Sequence, residues 1–273
     1  MSTGIYVISM ERSKERRAYI QSHLKSLNLD FHIVEAIDGE LVDSDYLYSQ
    51  ADMERVKQSP YWLTKGAIAC ALSHKKAYDL FLDSSYDYAL ILEDDVVLSP
   101  NINELLVSIT DVLKQDEVAM LYYVSLRGAE ISNYEGIPLK SGFLLNPMDL
   151  KQICTTTAYV IGREVAEKMS RTIIPVSVAA DAWDYYYQKK CIKRLYVHYP
   201  METETKDFKS TIEYFSEASL MSRLSRVVDK YKIPPLYQIF RYKRKKFREK
   251  VTSQIFLTSE PSPYCEHATT ISK

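Results

Sequence analysis

Glycine is scarce in this chain, with seven in 273 residues. There is no Gly-x-Gly-x-x-Gly, no Gly-x-x-x-x-Gly-Lys, no Gly-x-Ser-x-Gly and no His-Glu-x-x-His. These absences exclude the backbone phosphate cradles of dinucleotide and P-loop enzymes, the nucleophile elbow of serine hydrolases and the zincin helix. A diphosphate held by such a chain needs arginines and a metal in place of bare amides. No apolar run approaches the roughly 20 residues that cross a bilayer. The run at residues 5–8 is too short for the apolar core of a secretory leader and leads straight into charge. The four cysteines are far apart with no Cys-x-x-Cys pair, and no Asn-x-Ser/Thr occurs. Reduced thiols and a cytoplasmic location are therefore expected.

What is present is ordinary globular material, 46% apolar and 26% charged, enough for one large α/β domain with a small appendage. Tyrosine is abundant, at 22 against 8 phenylalanines and 2 tryptophans, which suits clefts needing apolar faces and hydroxyls together. Net charge is only −1, but residues 241–250 carry +6, leaving −7 elsewhere. That basic stretch, with Leu236, Phe240, Phe247 and Val251 at helical spacing, reads either as a segment lying on an anionic membrane surface (236–251) or as a solvated helix. A nucleic-acid arm is the third option, and no nucleic-acid partner is expected.

Glu93-Asp94-Asp95 is the most informative motif, set between the apolar residues 88–92 and Val96-Val97-Leu98. Three adjacent carboxylates repel unless a cation or a set of donors holds them. Residues 89–92 read as a short buried strand, so the acids fall at its C-terminal end, where open α/β sheets bind ligands.

Residues 5–8 predict a first strand, 12–27 a helix and 31–34 a second strand, a βαβ unit with parallel strands. Residues 44–63 read as loops and short helices. From Gly66 a helix presents Ala67, Cys70, Ala71, His74, Tyr78 and Phe81 on one stripe. His74 there reads as structural or as substrate-binding. A helix over 102–113 and a central strand over 118–126 follow. Residues 132–149 read as a long loop or hairpin. Strand 155–161, helix 164–171, an aromatic helix after Asp181 and a last strand at 195–199 complete the pattern, before a polar tail.

The ordered blocks Ile5-Tyr-Val-Ile-Ser-Met-Glu-Arg-Ser-Lys-Glu-Arg-Arg17, Ala36-Ile-Asp-Gly39, Lys65-Gly-Ala-Ile-Ala-Cys-Ala-Leu-Ser-His74, Ala89-Leu-Ile-Leu-Glu-Asp-Asp-Val96, Thr155-Thr-Thr-Ala-Tyr-Val-Ile-Gly-Arg163 and Asp181 span residues 1 to about 205. In them the chain resembles glycosyltransferase family 25, the bacterial lipopolysaccharide and lipooligosaccharide transferases related to collagen galactosyltransferases. The resemblance implies a GT-A-like, Rossmann-like fold with a mixed, mainly parallel sheet flanked by helices. It divides the chain into a catalytic domain, 1–205, and a helical, basic tail, 206–273.

It further implies a UDP-sugar donor, a lipid-linked oligosaccharide acceptor, inversion at the anomeric carbon and a supporting Mn²⁺ or Mg²⁺. On that likeness Asp95 is the first metal ligand, with Glu93 or Asp94 alongside and His198 as a further ligand. Ser9, Arg12, Arg16, Arg17 and Asp38 fall in the nucleotide-binding blocks, with Glu93 and Asp94 on the donor side. Thr155, Thr156 and Thr157 are placed at substrate hydroxyls. Asp181 is the candidate base, with Asp184 the alternative. The structural counter-readings are helix caps for the triplet and for Asp181, surface arginines and an ordinary β-branched strand. A galactosyltransferase acting at the cytoplasmic face of the inner membrane is expected. A two-carboxylate glycosidase and a non-catalytic nucleotide-sugar-binding protein are the alternatives.

Overall fold

The computed structural model describes residues 1–59, 63–125, 128–206, 208, 228, 231–252 and 255–265. The expected βαβ unit is β1 (Thr3–Ser9), α1 (Lys14–Ser26) and β2 (His32–Glu35). Short helices α2 (Ser44–Ser49) and α3 (Met53–Gln58) follow, each begun by an aspartate that accepts backbone N–H bonds, Asp43 and Asp52. Helix α4 (Lys65–Leu82) is capped by the Thr64 hydroxyl and buries Ala67, Ala71, His74, Tyr78 and Phe81 as the stripe predicted, while Cys70 is half-buried.

Strand β3 (Tyr88–Glu93) ends in the acidic triplet. No helix begins there, so the triplet is not a helix cap. The chain turns into a two-residue strand, β4 (Val96–Val97), then into α5 (Ile102–Thr110) and β5 (Glu117–Val124). Leu126, assigned to that strand from sequence, lies outside the described residues. The glycine- and proline-bearing stretch after it takes the hairpin form, β6 (Ala129–Pro138) and β7 (Phe143–Pro147). Then come β8 (Cys154–Gly162), α6 (Arg163–Ile173), α7 (Trp183–Gln188), β9 (Arg194–Tyr199) and β10 (Glu204–Thr205). After α8 (Leu236–Thr252) the chain adds β11 (Ile255–Thr258), so β9 is not the last strand.

Nine strands form one sheet in the order β11-β6-β7-β9-β5-β8-β3-β1-β2, and β10 pairs separately with β4. Seven of the nine run one way, with β8 and β7 opposed to their neighbours. This is the mixed, mostly parallel sheet flanked by helices that was expected. Strand alternation splits the core in two. Ala89, Ile91, Tyr159 and Ile161 face α4 and α6, whereas Leu90, Leu92, Ala158 and Val160 face α1 and α5. Burial on both faces explains why β3 reads as a continuous apolar run.

The C-terminal part of the chain was expected to be a polar tail, yet β11 pairs in parallel with β6. Ser132 Oγ donates to the Glu260 carbonyl, and Ser262 Oγ donates to that of Pro147 at 2.6 Å. Two such bonds contribute about 1 kcal/mol each, and β11 also covers an edge that would otherwise offer free backbone groups. Ending the chain at residue 254 is therefore expected to cost about 2 kcal/mol or more and to promote aggregation. Urea unfolding and light scattering measure the two effects, and an unchanged midpoint would contradict this role for β11.

Candidate functional site

Alternation sends the acids at the end of β3 to different partners. Glu93 points to the α4 face, where the Thr156 hydroxyl donates to its Oε1 at 2.7 Å and His74 Nε2 stands 3.9 Å away. Asp94 points to the α1 face and is buried. Both of its oxygens are used: Oδ2 accepts from Ser9 Oγ at 2.7 Å and Oδ1 from Arg16 Nε at 2.6 Å. Arg16 also reaches Asp95 Oδ2 at 3.1 Å, while Asp95 Oδ1 is buried with no hydrogen-bond partner among the described residues.

These surroundings set the protonation. Burial, then the charges of Glu93 and Asp94, raise Asp95 to about 7 despite Arg16. Burial also acts to raise Glu93, but the His74 ring, the Thr156 hydroxyl and Arg16 more than offset it and hold that carboxyl below its usual value. His74 is itself fixed by a buried chain, with Nδ1 2.8 Å from the Tyr159 hydroxyl, which lies 2.7 Å from that of Tyr78.

A strap closes over this end of the sheet. β10 pairs with β4, and the Lys206 amide donates to the Asp95 carbonyl at 2.7 Å. The Lys206 ammonium lies 4.0 Å from the Tyr19 ring centre, and Arg16 and Lys206 both face the Phe208 ring, at 5.7 and 5.4 Å. Nothing in the local sequence around 201–208 signals this placement, which depends on β4.

Across from the triplet, the start of β8 carries the threonine run. Thr156 holds Glu93, Thr157 pairs with Thr155 through their hydroxyls at 2.7 Å, and the Thr155 amide donates to Asp181 Oδ2 at 3.0 Å. Asp181 therefore does not cap α7, whose N-cap is Ala182 with no side-chain bond. Its Oδ1 has no hydrogen-bond partner among the described residues. Burial, then the charges of Glu93 and Asp181, raise the Cys70 thiol well above its usual value.

Other expected residues fall elsewhere. Arg17 binds the Ser9 carbonyl at 2.7 Å and Glu35 at 2.8 Å. Arg12 pairs with Asp38 and, at 2.9 Å, with Glu40. These two arginines lie along the ends of β1 and β2 beside the triplet and are engaged with protein carboxylates. Asp184 lies in the first turn of α7 and makes none of the hydrogen bonds that hold the triplet, the threonine run or Asp181.

His198 sits on β9, with β5 and β8 between it and β3. That is about 14 Å at the usual strand spacing. Its Nε2 donates to the Ser141 carbonyl at 2.8 Å, so the structure does not bring it to the triplet.

Among the described residues no group of three or more His, Cys, Asp or Glu is placed to hold a metal. The residues present do fit a cation that arrives with a diphosphate, since such an ion needs only one or two protein carboxylates. Asp95 with its free Oδ1, and Glu93, are the two that fit. Asp94 is not, because Arg16 and Ser9 occupy it.

Two substitutions should act in opposite directions on stability. Asp95 keeps its proton to about pH 7 when folded, against about pH 4 when unfolded. It therefore favours folding at low pH, and that contribution is lost as pH rises through 7. The gap is worth at most about 4 kcal/mol. Asp95→Asn should raise the thermal midpoint at pH 8 and change little at pH 4. Arg16→Met should lower the unfolding free energy by about 3–5 kcal/mol by leaving the buried Asp94 carboxylate without its cation. Calorimetry at both pH values tests this, and a D95N protein less stable than wild type at pH 8 would contradict it.

The family model for "Glycosyltransferase family 25 (LPS biosynthesis protein)" matches residues 2–184. The chain is 27% identical to human "Procollagen galactosyltransferase 2" over 171 residues, covering 60% of this chain and 27% of that protein. It is 26% identical to the Haemophilus influenzae "Lipooligosaccharide biosynthesis protein lic2B" over 171 residues, 62% of each chain. It is 32% identical to the mouse "Inactive glycosyltransferase 25 family member 3" over 101 residues, 36% of this chain and 17% of that one. The chain thus spans less than two thirds of the length of each of these relatives.

Among solved structures, a glycosyltransferase involved in glycosylation of the major capsid of PBCV-1 aligns over 73% of this chain and 82% of that one, at 14% identity and a TM-score of 0.38. The matched residues 2–184 contain β1, the α4 stripe, the acidic triplet, the threonine run and Asp181, and the chain belongs to glycosyltransferase family 25.

Proposed function

We propose that the protein transfers a hexose, with galactose the assigned sugar, from a UDP-sugar to a lipooligosaccharide or lipopolysaccharide acceptor, with inversion and the help of a divalent cation. Family membership and the names of the human and Haemophilus relatives support this reading. The observation that carries it is the pair of consecutive threonines: Thr156 holds Glu93 on the triplet side while the Thr155 amide holds Asp181 on the other. An inverting transfer needs such a division, with the leaving group on one side and a base on the other.

A divalent cation on Asp95 and Glu93 would neutralise charge developing on the departing diphosphate. Arg16, already bridging Asp94 and Asp95, holds that acidic turn against its own repulsion. Asp181 uses Oδ2 to accept from Thr155, which leaves Oδ1 to take the acceptor hydroxyl's proton. Because the mouse relative carries the name "Inactive", turnover rather than binding has to be measured.

The protein is incubated with Mn²⁺ and UDP-galactose, UDP-glucose or UDP-N-acetylhexosamines, and UDP release is followed with and without truncated lipooligosaccharide. Acceptor-stimulated release is expected, greatest with UDP-galactose. Another preferred donor would reassign the sugar, whereas metal-independent glycan cleavage would point to a hydrolase. No metal-dependent UDP formation with any donor overturns the proposal. Asp95→Asn should lose metal-supported donor binding, and Asp181→Asn should keep it and lose at least about 100-fold in transfer.

Among the described residues no helix is long and apolar enough to cross a membrane. The proposed lipid-linked acceptor is met at the membrane surface, with α8 as the contact. Leu236, Ile239 and Tyr242 are exposed on that helix, beside the basic run. The side chains of Phe247 and Val251 lie outside the described residues. Replacing Arg241, Lys243 and Lys246 by glutamine, which leaves β11 in place, should weaken binding to anionic vesicles, and more so at low salt. Unchanged vesicle binding would favour a merely solvated helix.

A further inference from the structure

Thr155 has φ of +85°, a left-handed conformation in which a β-branched residue is strained. Neighbouring groups hold it there at both ends of its peptide. Its amide donates to Asp181 Oδ2 at 3.0 Å, and its carbonyl accepts from Trp183 Nε1 at 3.2 Å. The two gripping residues are themselves joined, since the Trp183 amide donates to the Asp181 carbonyl at 2.9 Å. Carboxylate, indole and strained threonine thus close a small ring of three hydrogen bonds.

The indole is well fixed. Trp183 is fully buried, and its ring meets Tyr159 edge-on, 5.3 Å between centres and at 74°. The Tyr159 hydroxyl is held in turn by His74 and Tyr78. A fully buried indole N–H needs an acceptor, and here that acceptor is the carbonyl of the strained residue whose amide holds Asp181, while α7 is anchored by buried Tyr186 as well.

We propose that Trp183 is a positioning residue for the acceptor side of the reaction: through Thr155 it fixes the direction of the Asp181 carboxylate, and so where the acceptor hydroxyl must lie. This rests on the proposed role of Asp181 as base. Rigid support of this kind matters because a misplacement of about 1 Å in a reacting group can cost on the order of 100-fold in rate.

Trp183→Phe removes the indole N–H and keeps an aromatic ring. It is expected to lower kcat for transfer about 10- to 100-fold, while donor KM and UDP release without acceptor stay within twofold of wild type. General damage to the fold would lower both together. Thr155→Gly is the second variant and covers a failure of the first to fold. Glycine is at ease at this φ, so its thermal midpoint should not fall, yet with the bracket loosened its transfer kcat should drop at least fivefold. A folded Trp183→Phe or Thr155→Gly protein with transfer kcat within twofold of wild type overturns the proposal. Asp181→Asn, assayed alongside, separates the two ideas. Wild-type transfer in D181N removes the base assignment itself, whereas an inactive D181N beside a fully active Trp183→Phe removes only the role of Trp183.

Discussion

Three successive carboxylates at the end of a strand buried on both faces must each be given somewhere to place their charge, and the guanidinium of Arg16 makes the arrangement tolerable. It binds Asp94 through Nε and Asp95 through Nη2, while Ser9 takes the remaining oxygen of Asp94. With Asp94 satisfied on the α1 side and Glu93 turned to Thr156 on the other, Asp95 is left incompletely paired. A buried carboxylate oxygen without a donor is costly, and here the cost falls on the acid proposed to meet the cation. Stability lost at that position is in keeping with the trade seen at functional sites.

The rest of the fold holds this turn from several directions. α1 supplies Arg16 and Tyr19, β8 supplies Thr156, and β10 lies on β4 so that the Lys206 amide meets Asp95. The strand that braces Glu93 also begins the opposite side of the site, because Thr155 is clamped by Asp181 and Trp183. Both sides of the proposed reaction are therefore fixed to one strand end, β8, which runs against its neighbours β3 and β5. Its reversed direction brings an N-terminal strand end next to the C-terminal end of β3, where the acids lie.

Much of this was legible without coordinates. The βαβ start, the α4 stripe and the buried strand before the triplet follow from apolar periodicity, and the structure matches them to within a few residues. Pairing between distant segments was less visible. Residues 255–257 form a short apolar run, but Phe256 and Leu257 are exposed, so burial does not make β11 a strand; the edge of β6 that receives it does. The expectation for His198 failed for a similar reason: a histidine on a late strand looks available until strand order places β5 and β8 between it and the acids.

By itself the sequence determined where the charged groups lie along the chain and which elements carry them, because periods of 3.6 and 2 are local properties. It could place Glu93, Asp94 and Asp95 together at a strand end, but it put Asp95 first only by family likeness and held no physical reason for that order. Only the tertiary structure decided that Asp94 is neutralised, Glu93 braced and Asp95 left open, because the partners that settle it are 78 residues away for Arg16, 85 for Ser9 and 63 for Thr156. The same holds for Asp181, which would pass for a helix cap until Thr155, 26 residues earlier, is brought against it. Charge is local to a residue, whereas its desolvation and its donors belong to whatever the fold packs beside it.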